Sequence, residues 1–232
     1  MTESFAPISE HLNALRLALF KAFFFVAIGM GLSFAFSEEL IHFLLTPLPD
    51  KELVLFSPLE GFEIAFWTSL IFGALFSLPF WIVPCLSFIF PAFTEQEKKG
   101  LYPLMGLSIF CLGLGGVVAY SFSIPFMTQA LFDFNESYGK NLWGVKSTID
   151  FMLGIYLAHA VLFEAGLVLF FLVHGGLIKY RTLKQKRKAV YLIILIVAAI
   201  LTPPDVASQL LLAVPMIALY EIALGYSYLK RV

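Results

Sequence analysis

Three glutamates lie at positions where a carboxylate needs an explanation. Glu95 and Glu97 belong to a short charged stretch, FPAFTEQEKKGL at residues 90–101, between two long apolar runs. Glu164 lies inside another apolar run, where an ionised carboxylate costs at least about 2.5 kcal/mol if the run crosses a bilayer. A carboxylate at that depth normally faces a cavity or a polar partner, so Glu164 is a candidate intramembrane polar site.

The two loop glutamates have two interpretations from the residues alone. The simpler one is a solvated loop in which Glu95 and Glu97 balance Lys98 and Lys99. The other is a binding role for a positively charged ligand. Spacing does not decide between them.

Catalytic and metal-binding patterns are not found in the sequence. It has no HExxH, no GxSxG and no phosphate loop, and HAVLFE at residues 159–164 lacks metal-ligand spacing. Cys85 and Cys111 each lie within an apolar run, where cysteine usually acts as a small apolar side chain. We therefore expect no enzymatic activity, no metal and no cofactor. A small proton- or ion-coupled permease using Glu164 is the alternative function, because a membrane carboxylate can carry a proton or a cation.

The composition identifies an integral membrane protein. Of the 232 residues, 60% are hydrophobic, 26 are phenylalanine and only 13% are charged. Soluble domains do not have this composition. The net charge of -1 argues against a nucleic-acid partner, since a phosphate-binding surface needs an excess of basic residues.

The apolar runs predict a single all-α membrane domain of six transmembrane helices. A spanning helix needs about 20 apolar residues to cross about 30 Å of hydrocarbon. The predicted spans are residues 15–36, 64–89, 101–126, 149–173, 189–201 and 206–229. The last two are short, with about 13 and 15 uninterrupted apolar residues respectively. Short spans must thin the bilayer or be shielded by other helices.

The basic residues predict the orientation. Only Lys51, Lys140 and Lys146 of the 15 basic residues lie on the side opposite the N-terminus. The positive-inside rule then places both termini in the cytoplasm. The outer loops contain EELIHFLLTPL, with the spacing of a short amphipathic helix that Pro47 would end, and DFNESYGKNLWGVKSTID at residues 133–150. Short final spans and structured outer loops favour an open, cup-like arrangement of helices.

Five short motifs in this order resemble the TatC family, whose members are the core membrane subunits of the twin-arginine protein translocase. The resemblance covers nearly the whole chain. The motifs are HLNALR at residues 11–16, SPLEGF at 57–62, FIFPAFTEQEKK at 88–99, FE at 163–164 and LTPPDVASQ at 201–209.

The resemblance implies a receptor for twin-arginine signal peptides in the cytoplasmic (inner) membrane of a prokaryote. It also implies single-span partners of the TatA and TatB types, self-association in a complex, and export of folded proteins driven by the proton-motive force. Glu97 matches the family's signal-contacting glutamate, and Glu95 is nearby in the same loop. The further candidates for signal-peptide binding are His11, Leu12, Arg16 and Phe88 in the matched motifs, and Glu10 just before the first motif. The residues that the resemblance assigns to the outer cap and turns are Pro47, Ser57, Pro58, Glu60, Phe62 and Asp205.

The chemistry of arginine agrees with that assignment. A guanidinium group is a planar fork of donors that a carboxylate accepts bidentately, and each charge-assisted hydrogen bond contributes about 1.5–3 kcal/mol. Lysine lacks the fork. The chain departs from the family in one motif: Ala14 occupies the place of the glutamate in HLxELR, and Ala18 that of a basic residue. Glu10, one helical turn before Ala14, is a partial substitute.

Overall fold

The computed structural model describes residues 8–48, 53–89, 102–140, 142–201 and 206–230. Within these ranges the regular secondary structure is helical apart from one pair of two-residue strands. In chain order the elements are α1 (Ile8–Ala35), α2 (Ser37–Leu45), β1 (Leu53–Val54), α3 (Glu60–Ile89), α4 (Tyr102–Val118), a π-helical turn (Ala119–Ser123), α5 (Ile124–Glu136), β2 (Trp143–Gly144), α6 (Val145–His174), α7 (Tyr180–Leu201) and α8 (Val206–Lys230).

Five helical stretches in the described residues are long and apolar enough to cross a membrane. They are Leu15–Ala35, Glu60–Trp81, Gly106–Glu136, Val145–His174 and Gln209–Leu229. The prediction of an all-α membrane protein is confirmed. The predicted fifth span lies in α7, whose first half is strongly basic and whose apolar part is only residues 189–201, so a sixth span stays a prediction.

The helices around the second predicted outer loop are longer than expected. The helix that begins at Tyr102 continues past residue 126, through the π-helical turn, to Glu136. The next long helix begins at Val145, so the polar segment 133–150 is helical at both ends. Alternating polar residues there obscured the ends, since the polar face of a helix and a loop have similar composition.

The predicted short amphipathic helix is confirmed as α2. Its Leu44 is fully buried, while the acidic Glu38 and Glu39 occupy the first turn, where the helix dipole favours negative charge. The His42 carbonyl accepts both the Thr46 N–H at 3.0 Å and the Thr46 hydroxyl at 2.8 Å, which holds the end of the helix. Pro47 follows immediately and cannot continue the helix.

The chain divides into two compact units: Met1–Leu40 with Ala65–Ile109, and Ile41–Ile64 with Phe110–Val232. In the first unit, α1 crosses α3 at two glycines. A Cβ built on Gly29 would collide with the Gly73 carbonyl oxygen, and a Cβ on Gly73 would collide with the backbone of Met30. Small residues allow such close backbone approach in membrane proteins.

In the second unit, α6 is buried along most of its length and packs against α7 and α8. Gly166 allows α6 to pack closely on α8, because a Cβ there would lie 3.0 Å from the Leu219 side chain. One hydrophobic cluster joins the three helices through Ala158, Leu162, Ile194, Ala198, Leu212, Ala213 and Met216. A second cluster contains Val173, Leu183, Tyr220 and Leu224.

The two strands form a parallel pair that sequence analysis did not predict. Leu53 pairs with Trp143, and Val54 pairs with Gly144. The Phe56 ring covers Gly144 so closely that a Cβ there would lie 2.8 Å from the ring. The pair therefore joins the segment before α3 to the segment before α6.

Candidate functional site

The π-helical turn places a polar side chain in the interior of the second unit. Pro125 has no N–H to donate, and in a regular α-helix its ring would clash with the carbonyl four residues earlier. Instead, the helical turn before Pro125 contains one extra residue, and the Ile124 N–H donates to the Ala119 carbonyl five residues earlier. Such π turns inside helices frequently mark functional sites. This one directs Ser123 into the interior, where it is fully buried.

His159 of α6 is the partner of that serine. Its Nδ1 lies 2.9 Å from the Ile155 carbonyl, which can only accept, so Nδ1 carries a proton. Nε2 lies 3.0 Å from the Ser123 hydroxyl, and in the neutral imidazole it accepts the serine proton. Sequence analysis found no metal-ligand spacing at His159 and assigned it no role. It is 1% exposed, but it is also a hydrogen-bonded link between two helices.

Glu164 lies five residues further along α6 and is 4% exposed. His159 and Glu164 point about 140° apart on the helix, and both are buried, which fits a helix at the centre of its unit. Gly115 of α4 approaches α6 between them, because a Cβ there would lie 3.2 Å from the His159 carbonyl and 3.3 Å from Phe163. Cys111, one turn earlier on α4, lies within electrostatic range of Glu164.

A surface groove of about 510 Å³ opens beside the π-helical turn. Its walls come from residues 118–123 and from α8, and Ser123 contributes to the lining. Pro215 of α8 also lines it. Because Pro215 has no N–H, the Leu211 carbonyl does not receive its usual helical hydrogen bond. The groove thus has mainly apolar walls, and the Ser123 hydroxyl behind them is already bonded to His159.

A second polar cluster joins α7 to α8. The Glu221 carboxylate accepts hydrogen bonds from Arg187 at 2.8 Å and from the Tyr191 hydroxyl at 2.6 Å. Nearby, His174 Nδ1 lies 2.7 Å from the Tyr226 hydroxyl. Sequence analysis assigned no role to Glu221, which lies within the predicted last span. The available signal was that Arg187 and Tyr191 lie one helical turn apart on α7, although their partner Glu221 is 34 and 30 residues further along the chain.

The SPLEGF motif forms the turn that leads into α3. The Glu60 carboxylate accepts from the Phe56 N–H at 2.9 Å, and the Glu60 N–H donates to the Ser57 carbonyl at 3.2 Å. Glu63, one turn into the helix, lies 3.5 Å from Lys146 at the start of α6. Pro58 and Phe62 are exposed. In this turn Glu60 fixes backbone geometry.

The predicted signal-peptide residues are only partly described. Glu95, Glu97 and Asp205 lie outside the described residues. Glu10 and His11 lie in α1 and Phe88 lies in α3, with the backbone described there. Leu12 is 58% exposed and Arg16 is exposed, both on α1 in the first unit. Within the ranges that the structure covers, no three His, Cys, Asp or Glu side chains are close enough to hold a metal ion.

Comparison with known proteins identifies the family. The model of the family TatC, described as Sec-independent protein translocase protein, matches residues 10–215. The chain belongs to the TatC family. The TatC protein of Desulforapulum autotrophicum is 31% identical over 96% of this chain and 84% of its own length. TatC of Aquifex aeolicus is 32% identical over 94% and 93%.

A crystal structure of the twin arginine translocase receptor TatC in DDM has the same fold. The TM-score is 0.83 at 30% sequence identity, over 94% of this chain and 99% of that one. As a TatC, the chain is a membrane component of a Sec-independent protein translocase and works in a complex with other Tat subunits. The resemblance inferred from five motifs is confirmed.

Proposed function

We propose that this chain is the signal-peptide receptor and core subunit of a translocase that exports folded proteins carrying twin-arginine signal peptides. The observation that carries the proposal is its likeness, over 94% of its length, to a solved TatC that is named as a twin arginine translocase receptor. The transport is driven by the proton-motive force, and the protein lies in the prokaryotic inner membrane with six spans and both termini in the cytoplasm.

In this proposal Glu97 and Glu95 bind the two arginines of the signal. Both lie in the only segment between residues 64 and 132 that contains acidic side chains. A carboxylate and a guanidinium form bidentate, charge-assisted hydrogen bonds, which favours arginine over lysine. Glu10 adds a third carboxylate in the stretch where Ala14 replaces the usual glutamate.

The apolar part of the signal peptide then lies along α1. A shallow groove of about 430 Å³ follows this helix and is lined by Leu12, Leu15, Arg16, Leu19, Phe20 and Phe23. Phe20 and Phe23 are 67% and 74% exposed. Exposed apolar side chains at the level of the membrane suit an apolar helix or strand as a neighbour.

The partners in this proposal are single-span proteins of the TatA and TatB types and further copies of this chain. The groove beside the π-helical turn supports binding of a single-span partner. It places the Leu211 carbonyl, which lacks its usual helical donor, between apolar walls, and polar groups of this kind form hydrogen bonds between helices in membranes. We expect a partner helix that fits there to carry a small polar side chain.

The test is binding of a fluorescent twin-arginine signal peptide to the purified full chain in detergent, compared with a twin-lysine peptide. Glu97→Gln removes the proposed carboxylate. Glu39→Gln is the matched control, because it removes the same charge from an exposed residue of α2. We expect the twin-arginine peptide to bind more tightly, and Glu97→Gln alone to weaken it by roughly tenfold or more.

Equal affinity for both peptides in the wild type and in Glu97→Gln would contradict arginine recognition by this carboxylate. The Ala14→Glu variant provides an independent binding experiment. If a carboxylate at position 14 completes the site, its addition should raise affinity for the twin-arginine peptide and leave affinity for the twin-lysine peptide nearly unchanged. A gain of similar size for both peptides would indicate only general charge attraction.

A further inference from the structure

Helix α7 combines a strongly basic half with an apolar half. Residues 179–188 contain six basic and no acidic side chains, and residues 189–201 contain no charged side chain at all. The apolar half is about 20 Å long, which is shorter than the roughly 30 Å hydrocarbon core. The basic half therefore lies at or near the headgroup layer when the apolar half is in the membrane.

The basic residues are not evenly spread around the helix. At about 100° per residue, Arg181, Lys184 and Lys188 fall within a face about 60° wide. All three are exposed. The same face continues into the apolar half with Leu192 and Ala199, which are also exposed. We call this set, together with the adjacent exposed Ile196, the α7 stripe.

Among the described residues, the carboxylate that forms an ion pair with α7 is Glu221, and its partner lies outside the α7 stripe. Glu221 pairs with Arg187, which lies on another face of the helix. Lys184 Nζ instead lies 5.7 Å from the centre of the Tyr180 ring, and Tyr180 packs against Tyr228 with ring centres 5.4 Å apart. Tyrosines of this kind are typical of the membrane–water interface.

We propose that the α7 stripe binds an anionic phospholipid, with the phosphate beside Arg181, Lys184 and Lys188 and an acyl chain along Leu192, Ile196 and Ala199. The order of charges and apolar residues along the stripe matches the order of headgroup and chain in a lipid. Juxtamembrane lysines and arginines attract anionic lipids by electrostatics. The inference rests on membership of a membrane-protein family and is independent of signal-peptide recognition.

The test is native mass spectrometry of the purified full chain with phosphatidylglycerol or phosphatidylcholine added in detergent. Lys184→Gln/Lys188→Gln removes two charges from the stripe. Lys179→Gln/Lys186→Gln is the matched control, because it removes two charges from nearby exposed lysines outside the stripe. Lys184→Arg/Lys188→Arg keeps the charge at the same positions.

We expect the wild type to retain phosphatidylglycerol more strongly than phosphatidylcholine. The stripe variant should lose roughly tenfold or more of its affinity for phosphatidylglycerol, while the control and the arginine variant stay within about twofold of wild type. Equal loss in the stripe and control variants, or equal retention of both lipids by the wild type, would overturn the proposal. Displacement of the lipid by millimolar glycerol phosphate would also overturn it, since the site would then bind free phosphate.

Discussion

The Ser123 hydroxyl lies 3.0 Å from Nε2 of His159, so one hydrogen bond fastens the π-helical turn to the middle of α6. Both side chains are at most 1% exposed. The bond holds in place a turn that exists because Pro125 cannot complete a regular helix. Ser123 and His159 therefore stabilise this turn together, and neither side chain does so alone.

Ser123→Ala should lower the free energy of unfolding in detergent by about 1–2 kcal/mol, because it leaves Nε2 of His159 buried without its donor. His159→Phe should also destabilise the protein. In a double-mutant cycle the two losses should overlap by about 0.6–1.7 kcal/mol. Strictly additive losses would show that the two groups are not coupled.

Gly29→Ala should destabilise the crossing of α1 and α3 by about 1–3 kcal/mol, because the added methyl group meets the Gly73 backbone. Gly31→Ala is the control on the same helix. A Cβ at Gly31 has nothing within 4 Å, so this change should be neutral or stabilise by up to about 1 kcal/mol. Thermal unfolding in detergent measures both, and equal effects would refute the close crossing.

Glu60→Ala should increase hydrogen exchange of the Phe56 amide, because the amide loses its carboxylate acceptor. The expected rise is roughly threefold to tenfold, corresponding to about 0.5–1.5 kcal/mol. Glu60→Gln keeps a side-chain oxygen of the same reach and should give a smaller rise. If Glu60→Ala exchanges at the wild-type rate, the carboxylate does not hold this turn in solution.

Glu164→Gln and Glu164→Ala should both reduce export of a folded reporter that carries a twin-arginine signal peptide. Glutamine keeps the side-chain volume and the ability to form hydrogen bonds, so the amount of protein in the membrane should stay unchanged. Alanine leaves a cavity and should lower the free energy of unfolding by about 1–3 kcal/mol. Glu136→Gln, an exposed carboxylate on α5, is the control. Export at the wild-type level in both Glu164 variants would exclude a transport role.

The sequence predicted the elements that depend on periodicity and on proline. Long apolar runs predicted the long helices. The helical spacing of apolar residues such as Leu44, followed by Pro47, predicted the short helix α2. It did not predict where the helices around residues 133–150 end, because the polar face of a helix resembles a loop. The Ser123–His159 bond was also missed, since a π turn adds one residue and changes which side chain points inward.

The sequence also did not predict contacts between residues that are far apart in the chain. The dipeptides Leu53–Val54 and Trp143–Gly144 are too short to show a strand pattern in the sequence. They pair because the flanking helices bring the two segments together. The partner of Glu221 was missed for a similar reason. Arg187 lies 34 residues away, and only the packing of α7 on α8 places them at 2.8 Å.

The pairing of Leu53 with Trp143 sets an order of events during synthesis. Closing so long a loop has a large entropic cost, which is recovered only when non-local contacts form together. The pairing therefore has to wait until the ribosome has released the chain beyond Gly144, when α3, α4 and α5 are already made. The Lys146 side chain becomes available at the same stage, so neither the sheet nor the ion pair between Glu63 and Lys146 forms before α3, α4 and α5 are made.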